Sequence, residues 1–170
     1  MTLVPIVAAA VISAPAPELL RVTRSYVQSL VAPPERVLPL LTPLGERSWA
    51  PGWEPEVRWQ PPDGGVGTLF VIRHPGQPET VWVLDTFDPR TGHVHYVHVT
   101  PGSDVTEIDI QLRPGPDKGT RAEVRYTWTA LSEAGNAKVQ HHTPEAFAHS
   151  MQSWEQQLNQ FLTTGQRLDH

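Results

Sequence analysis

The sequence predicts an α+β domain in which a curved antiparallel sheet of about seven strands wraps on one long C-terminal helix, with two short helices after the first strand. Three observations predict it. Between Val57 and Ala130, apolar and polar residues alternate in short runs divided by turn residues, the pattern of an antiparallel meander and not of parallel strands joined by crossover helices. Near the C-terminal end, Phe147, Met151, Trp154, Leu158 and Phe161 recur at spacings of three and four, so they form one helical stripe. The chain has 170 residues, about one domain's worth, so the concave face of the sheet is the one partner available to that stripe.

The elements follow in order. Glu18 to Ala32 carries Val22, Thr23, Val27 and Val31 with Tyr26, and reads as a strand stopped by Pro33-Pro34. Pro34 suits the first turn of a helix, where its missing N–H costs nothing, whereas Pro39 would clash inside a longer one; the first helix is therefore short or kinked. Thr42-Pro43 repeats the signal, a hydroxyl cap before proline, and starts a second short helix through Leu44, Glu46 and Trp49 to Pro51-Gly52.

Strands are then expected at Val57 to Gln60, Gly67 to His74, Thr80 to Phe87 and His93 to Thr100, divided by proline, glycine and aspartate turns. The clearest alternations come last. Ile108, Ile110 and Leu112 oppose Glu107, Asp109 and Gln111, and Ala122, Val124, Tyr126 and Trp128 oppose Arg121, Glu123, Arg125 and Thr127. Thr143 as cap, Pro144 at the first helical position and Glu145 in the first turn start the long helix, and Gly165 stops it.

Composition narrows the function classes. With 13 Lys plus Arg against 18 Asp plus Glu and no clustered basic face, nucleic acid is disfavoured as a partner. No apolar run approaches the roughly 20 residues of a membrane-spanning helix, so no integral membrane association is expected. The absence of cysteine removes thiol nucleophiles and cysteine-ligated metal and cluster sites, and does not reveal the compartment. The apolar stretch Leu3 to Ala14 precedes a small-residue Ala14-Pro15-Ala16, yet no Lys or Arg precedes it. The expectation is a retained arm or added strand within a single 1–170 domain of a cytoplasmic protein; secretion after cleavage is the alternative.

Ala32-Pro33-Pro34-Glu35-Arg36-Val37, the stretch from Pro39-Leu40-Leu41-Thr42-Pro43 to the Trp49-Ala50-Pro51-Gly52-Trp53 core, and Gly119-Thr120-Arg121 leading into Thr127-Trp128-Thr129-Ala130-Leu131 carry a resemblance. Together with the element order they resemble the START-like and Bet v 1-like (SRPBCC) superfamily over about Arg21 to Gly165. The resemblance implies a helix-grip fold with a hydrophobic cavity between sheet and long helix. It implies ligands of the lipid, sterol or aromatic polyketide class, and for some members cyclisation or dehydration of polyketides. It selects no chemistry for this chain.

Candidate residues follow from these two sources. His93 and His95 share one strand face and could present two imidazoles to an ion, with His141 or His142 as a third, but no carboxylate stands at ligand spacing in sequence; an exposed strand face is the plainer reading, and no metal is assigned. His142 and His149 read as solvated. No Gly-x-Ser-x-Gly, Walker or dinucleotide glycine pattern occurs, so no cofactor is assigned, and Gly64-Gly65-x-Gly67 reads as a hairpin turn. Glu46 with Arg47, and Asp85 with Asp88, could act as acid or base if a cavity raised a carboxyl's pKa; an exposed helix face or turn is the default. The six tryptophans fill a core or line a cavity.

The expected function is binding of a small hydrophobic or amphipathic ligand by Phe70, Tyr96, Tyr126, Trp128, Phe147, Met151 and Trp154. The rivals are an enzyme of the polyketide cyclase or dehydratase type, which needs a buried convergent acid or base, and an interaction module with a closed pocket. A homodimer contact is left open.

Overall fold

The computed structural model describes residues 18–168; the apolar N-terminal stretch lies outside them. The first strand, β1, spans Arg21–Leu30, a little shorter than expected. Pro33, extended at ψ 159°, caps the one-turn helix α1 (Pro34–Val37), and a 3-10 turn, Leu38–Leu41, takes up Pro39. Thr42 Oγ1 accepts the Gly45 N–H at 3.0 Å to cap α2 (Pro43–Glu46). Only glycine fits at 45, where a Cβ would stand 2.1 Å from the Pro39 carbonyl oxygen. The expected helix through Trp49 is thus cut to one turn; Trp49 follows in a turn, fully buried, its indole N–H donating to the Leu40 carbonyl at 2.8 Å.

Six strands then run antiparallel: β2 (Glu56–Trp59), β3 (Leu69–Ile72), β4 (Thr80–Asp88), β5 (His93–Thr100), β6 (Asp104–Pro114) and β7 (Thr120–Ala130). β1 joins beyond β7, giving a seven-stranded sheet in the order β1-β7-β6-β5-β4-β3-β2. Period-two burial is cleanest along β6, where Asp104, Thr106, Ile108, Ile110 and Leu112 face inward.

Register places side chains from five or six strands in rows across the concave face. One row reads Leu84, Tyr96, Ile108, Tyr126 and Arg24; the next reads Phe70, Trp82, His98, Thr106, Trp128 and Val22. The rings therefore meet because the alternation of each strand brings its aromatic residue to the same level.

The structure adds a helix that the sequence reading left out, α3 (Glu133–Gln140). Gly135 and Asn136 are poor helix formers, which hides it, but both are needed where they stand. A Cβ at Gly135 would lie 2.0 Å from the Ser103 carbonyl oxygen, and Asn136 accepts the Leu20 N–H while donating to the Glu18 carbonyl, at 2.8 and 2.9 Å.

The long helix α4 runs Pro144–Thr164, capped by Thr143 Oγ1 on the Ala146 N–H and ended by Gly165 in the left-handed region at φ 71°. Phe147, Met151, Leu158 and Leu162 are its buried residues, with Trp154 and Phe161 half-buried beside them. Gln28 and Asn159 fix it over β1. The Gln28 amide donates to the Met151 carbonyl at 3.0 Å, and Asn159 donates to the Ser29 carbonyl and accepts the Val31 N–H, each at 2.9 Å.

Candidate functional site

Between α4 and the concave face lie two adjoining spaces that share Tyr126, Ser150 and Met151 as a waist. The inner chamber has a volume of about 140 Å³ and is walled by Ala50, Trp53 and Trp82 with Tyr96, Ile108 and Ile110; Trp154 covers it from the helix and Glu46 enters from α2. The outer chamber, about 310 Å³, is bordered by Trp128 and Phe147 and by His98, Asp104, Lys138 and His142.

Three rings of the inner walls are held by hydrogen bonds to fixed partners outside the chamber. The Trp53 indole donates to the Pro43 carbonyl at 2.8 Å, Trp82 to Thr80 Oγ1 at 2.8 Å, and the Tyr96 hydroxyl to the Leu41 carbonyl at 2.6 Å. Trp53 meets Trp82 edge-on at 5.2 Å between ring centroids, and Trp49 packs on Trp154 at 5.3 Å.

Glu46 breaks that pattern. It is 5% exposed, and no hydrogen bond or ion pair from the described residues reaches its carboxyl. Burial pushes this group well above its ordinary 4.5, so it is a carboxylic acid that releases its proton late. Tyr126, opposite on β7, also has no hydrogen bond at its hydroxyl among the described residues; burial and the Glu46 charge raise its pKa. Tyr96 is raised by the same two causes.

The outer chamber is polar in a different way. Lys138, from α3, donates to Asp104 Oδ1 at 2.6 Å and to Thr100 Oγ1 at 3.1 Å. Burial opposes ionisation of Asp104, but the Lys138 ammonium and the Ser103 hydroxyl outweigh it and hold the carboxyl below its ordinary value. Two imidazoles lie flat on two indoles: His98 on Trp82, with centroids 4.0 Å apart and planes at 20°, and His142 on Trp128, at 4.0 Å and 9°. His98 Nδ1 and His142 Nε2 are buried without a hydrogen-bond partner among the described residues. Burial lowers His98 from 6.5 to about 4 and lowers His142 as well, so both rings are neutral at pH 7.

Of the seven ligand candidates read from sequence, Tyr96 and Trp154 border the inner chamber, Trp128 and Phe147 the outer, and Tyr126 and Met151 both. Phe70 does not reach either space; it backs the wall, stacked on Trp82 at 5.7 Å.

Two expectations are corrected. Glu46 is not on an exposed helix face, because one-turn α2 points it inward with Trp49 and Ala50, three and four residues on. His142 is half-buried, not simply solvated, because the α3–α4 connection lays it on Trp128.

His93 and His95 stand on the other face of β5, each opposite its own carboxylate: His93 with Asp109 at 2.9 Å and His95 with Asp85 at 3.0 Å. Sequence spacing hid both partners, which come from neighbouring strands. His142 lies on the concave side and His141 bonds the Ala137 carbonyl at 2.6 Å, so neither joins them. Among the described residues no cluster of three or more His, Cys, Asp or Glu could hold a metal ion. Asp88 ends β4, held low by the backbone N–H of Arg90, and Arg47 pairs with Glu54 at the surface.

No protein-family model and no curated protein sequence matches the chain. Solved structures do. A truncated norcoclaurine synthase from Thalictrum flavum matches with a TM-score of 0.67 at 12% identity, covering 90% of this chain and 99% of that one. The Ara h 8.0201 crystal structure matches with a TM-score of 0.63 at 16% identity over 84% and 97% of the two chains. This is the Bet v 1-like helix-grip fold. The norcoclaurine synthase in complex with dopamine and hydroxybenzaldehyde matches with a TM-score of 0.61 at 12% identity, over 92% of this chain and 95% of that one. At these identities the likeness is one of fold. Among the described residues no helix is long and apolar enough to cross a membrane.

Proposed function

We propose that the chain is a small-molecule enzyme of the cyclase or dehydratase type, which binds a small aromatic or polyketide-class molecule between sheet and α4 and moves a proton on it. The observation that carries the reading is Glu46, a buried carboxyl with no partner among the described residues, bordering a chamber of aromatic walls. An unpaired buried acid is costly to keep, and a partner supplied by a ligand is the simplest way to satisfy it.

Glu46 is the proton donor in this reading, raised toward the range where an acid works at neutral pH; Tyr126 faces the same ligand. Size supports an aromatic molecule over a sterol or a fatty acid. A dry cavity of roughly 150 Å³ holds a benzene ring, and the inner chamber is of that order at about 140 Å³. A solved structure of the same fold holds two single-ring compounds, dopamine and hydroxybenzaldehyde.

The test begins with protein purified without delipidation, whose extracted small molecules are identified by mass spectrometry and returned to the protein. Glu46→Gln keeps the shape and removes the acid. It should bind these compounds within a few-fold of the parent and lose turnover by about 10²–10⁴-fold. Equal turnover by the two proteins removes the enzymatic reading and leaves simple ligand binding.

A further inference from the structure

Resting on that reading of the cavity, we infer that the outer chamber is an anion subsite in which His98, His142 and Lys138 direct N–H groups at a carboxylate of the ligand, while its aromatic ring occupies the inner chamber. The molecule recognised is then a single-ring aromatic acid.

Tautomer geometry carries the inference. A neutral imidazole bears one N–H and one lone pair. His98 Nδ1 and His142 Nε2 are buried with no partner, and a buried N–H without an acceptor is the rarer and costlier defect. Each proton therefore sits on the other nitrogen, Nε2 of His98 and Nδ1 of His142. No hydrogen bond from the described residues occupies either of these atoms, and both rings border the chamber.

Stacking on Trp82 and Trp128 holds the rings in plane, which keeps the two N–H vectors fixed. Lys138 spends one N–H on Asp104 and one on Thr100, so a third remains for a ligand. Asp104 does not compete for the ligand's place: its oxygens accept from Lys138, Ser103 and Thr106 at 2.6, 2.8 and 3.3 Å. Three donors with no free acceptor opposite them among the described residues suit an anionic oxygen pair, and the Asp104 charge keeps the chamber lining from being strongly cationic.

The protein as it stands supports two measurements. Long-range ¹H–¹⁵N spectra of the histidine side chains should show Nε2–H at His98 and Nδ1–H at His142; the opposite tautomer at both rings overturns the inference. Calorimetric titration with phenylacetate and phenylacetamide then reads the subsite. Phenylacetate should bind at least tenfold tighter, and the preference should fall to threefold or less in His98→Phe and in His142→Phe, each of which keeps a flat ring on its tryptophan. Equal binding of the two compounds, or a preference retained in both variants, overturns the anion subsite while leaving the aromatic cavity intact. If neither compound binds at millimolar concentration, the cavity reading itself fails and takes this inference with it.

Discussion

The Lys138 ammonium meets Asp104 Oδ1 at 2.6 Å and ties α3 to the first residue of β6, with the aspartate side chain 1% exposed and the lysine 44% exposed. Removing the lysine alone strands a buried carboxylate, which keeps only the Ser103 and Thr106 hydroxyls. Lys138→Met should cost about 1–3 kcal/mol, less than a fully buried pair because Lys138 is partly solvated. Asp104 sits below its ordinary 3.8, so its contribution is present above that pH and is lost as the pH falls through its folded value. In the variant that loss should begin at a higher pH. Urea titrations of both single variants and of the Asp104→Asn, Lys138→Met double variant measure the coupling, and additive losses would show that the pair contributes nothing.

Glu46 predicts the opposite slope. Its folded pKa is raised, so the unfolded chain sheds a proton above pH 4.5 that the folded chain keeps. Stability on this account is full below 4.5 and declines as pH rises through the folded value. Glu46→Gln should flatten that decline, so that the variant gains stability relative to the parent as the pH rises from 5 to 8. Calorimetric scans of parent and variant at pH 5 and pH 8 check it; a variant less stable at both would mean that the carboxyl has a stabilising partner.

His98 works on the acid side. Lowered from 6.5 to about 4, it binds a proton in the unfolded chain before it does in the folded one. Its stabilising effect is complete above pH 6.5 and is lost between there and about pH 4, worth roughly 3 kcal/mol from the size of the shift. His98→Phe, which keeps the stack on Trp82, should be markedly less sensitive to a change from pH 7.5 to 4.5 in urea titration than the parent.

The fold was legible because its signals are local. Alternation along β6 and β7, the Thr42-Pro43 and Thr143-Pro144 caps and the Gly165 stop each depend on neighbours a few residues apart. The same alternation held part of the site in view: in His93 to Thr100, Tyr96 and His98 share a face, opposite the His93 and His95 that drew attention as ligands. Glu46 was legible in principle too, lying three and four residues before Trp49 and Ala50, but the one-turn length of α2 disguised the face it presents. What the chain could not disclose by spacing is long-range. The Asp104–Lys138 pair joins residues 34 positions apart, and it depends on α3, whose Gly135 and Asn136 serve tertiary contacts at the expense of helix propensity.

Met151 decides whether the two chambers work as one. Its side chain borders both, while its backbone carbonyl is already engaged by the Gln28 amide, so the helix is anchored at this point independently of what the side chain does. Met151→Trp adds volume at the waist without removing a helix former and should fill the space the two chambers share, at a cost of about 1–3 kcal/mol for overpacking. Met151→Ala should widen the waist, admit larger aromatic compounds and cost about 2–5 kcal/mol. Tryptophan fluorescence, with Trp128 at the outer chamber and Trp154 at the inner, reports binding of a series of one-ring and two-ring aromatic compounds to each variant. The series should read no binding for the tryptophan variant, one-ring binding for the parent and binding of both sizes for the alanine variant. If a folded Met151→Trp protein binds the one-ring compounds as the parent does, the space beside Met151 is not where the ligand sits.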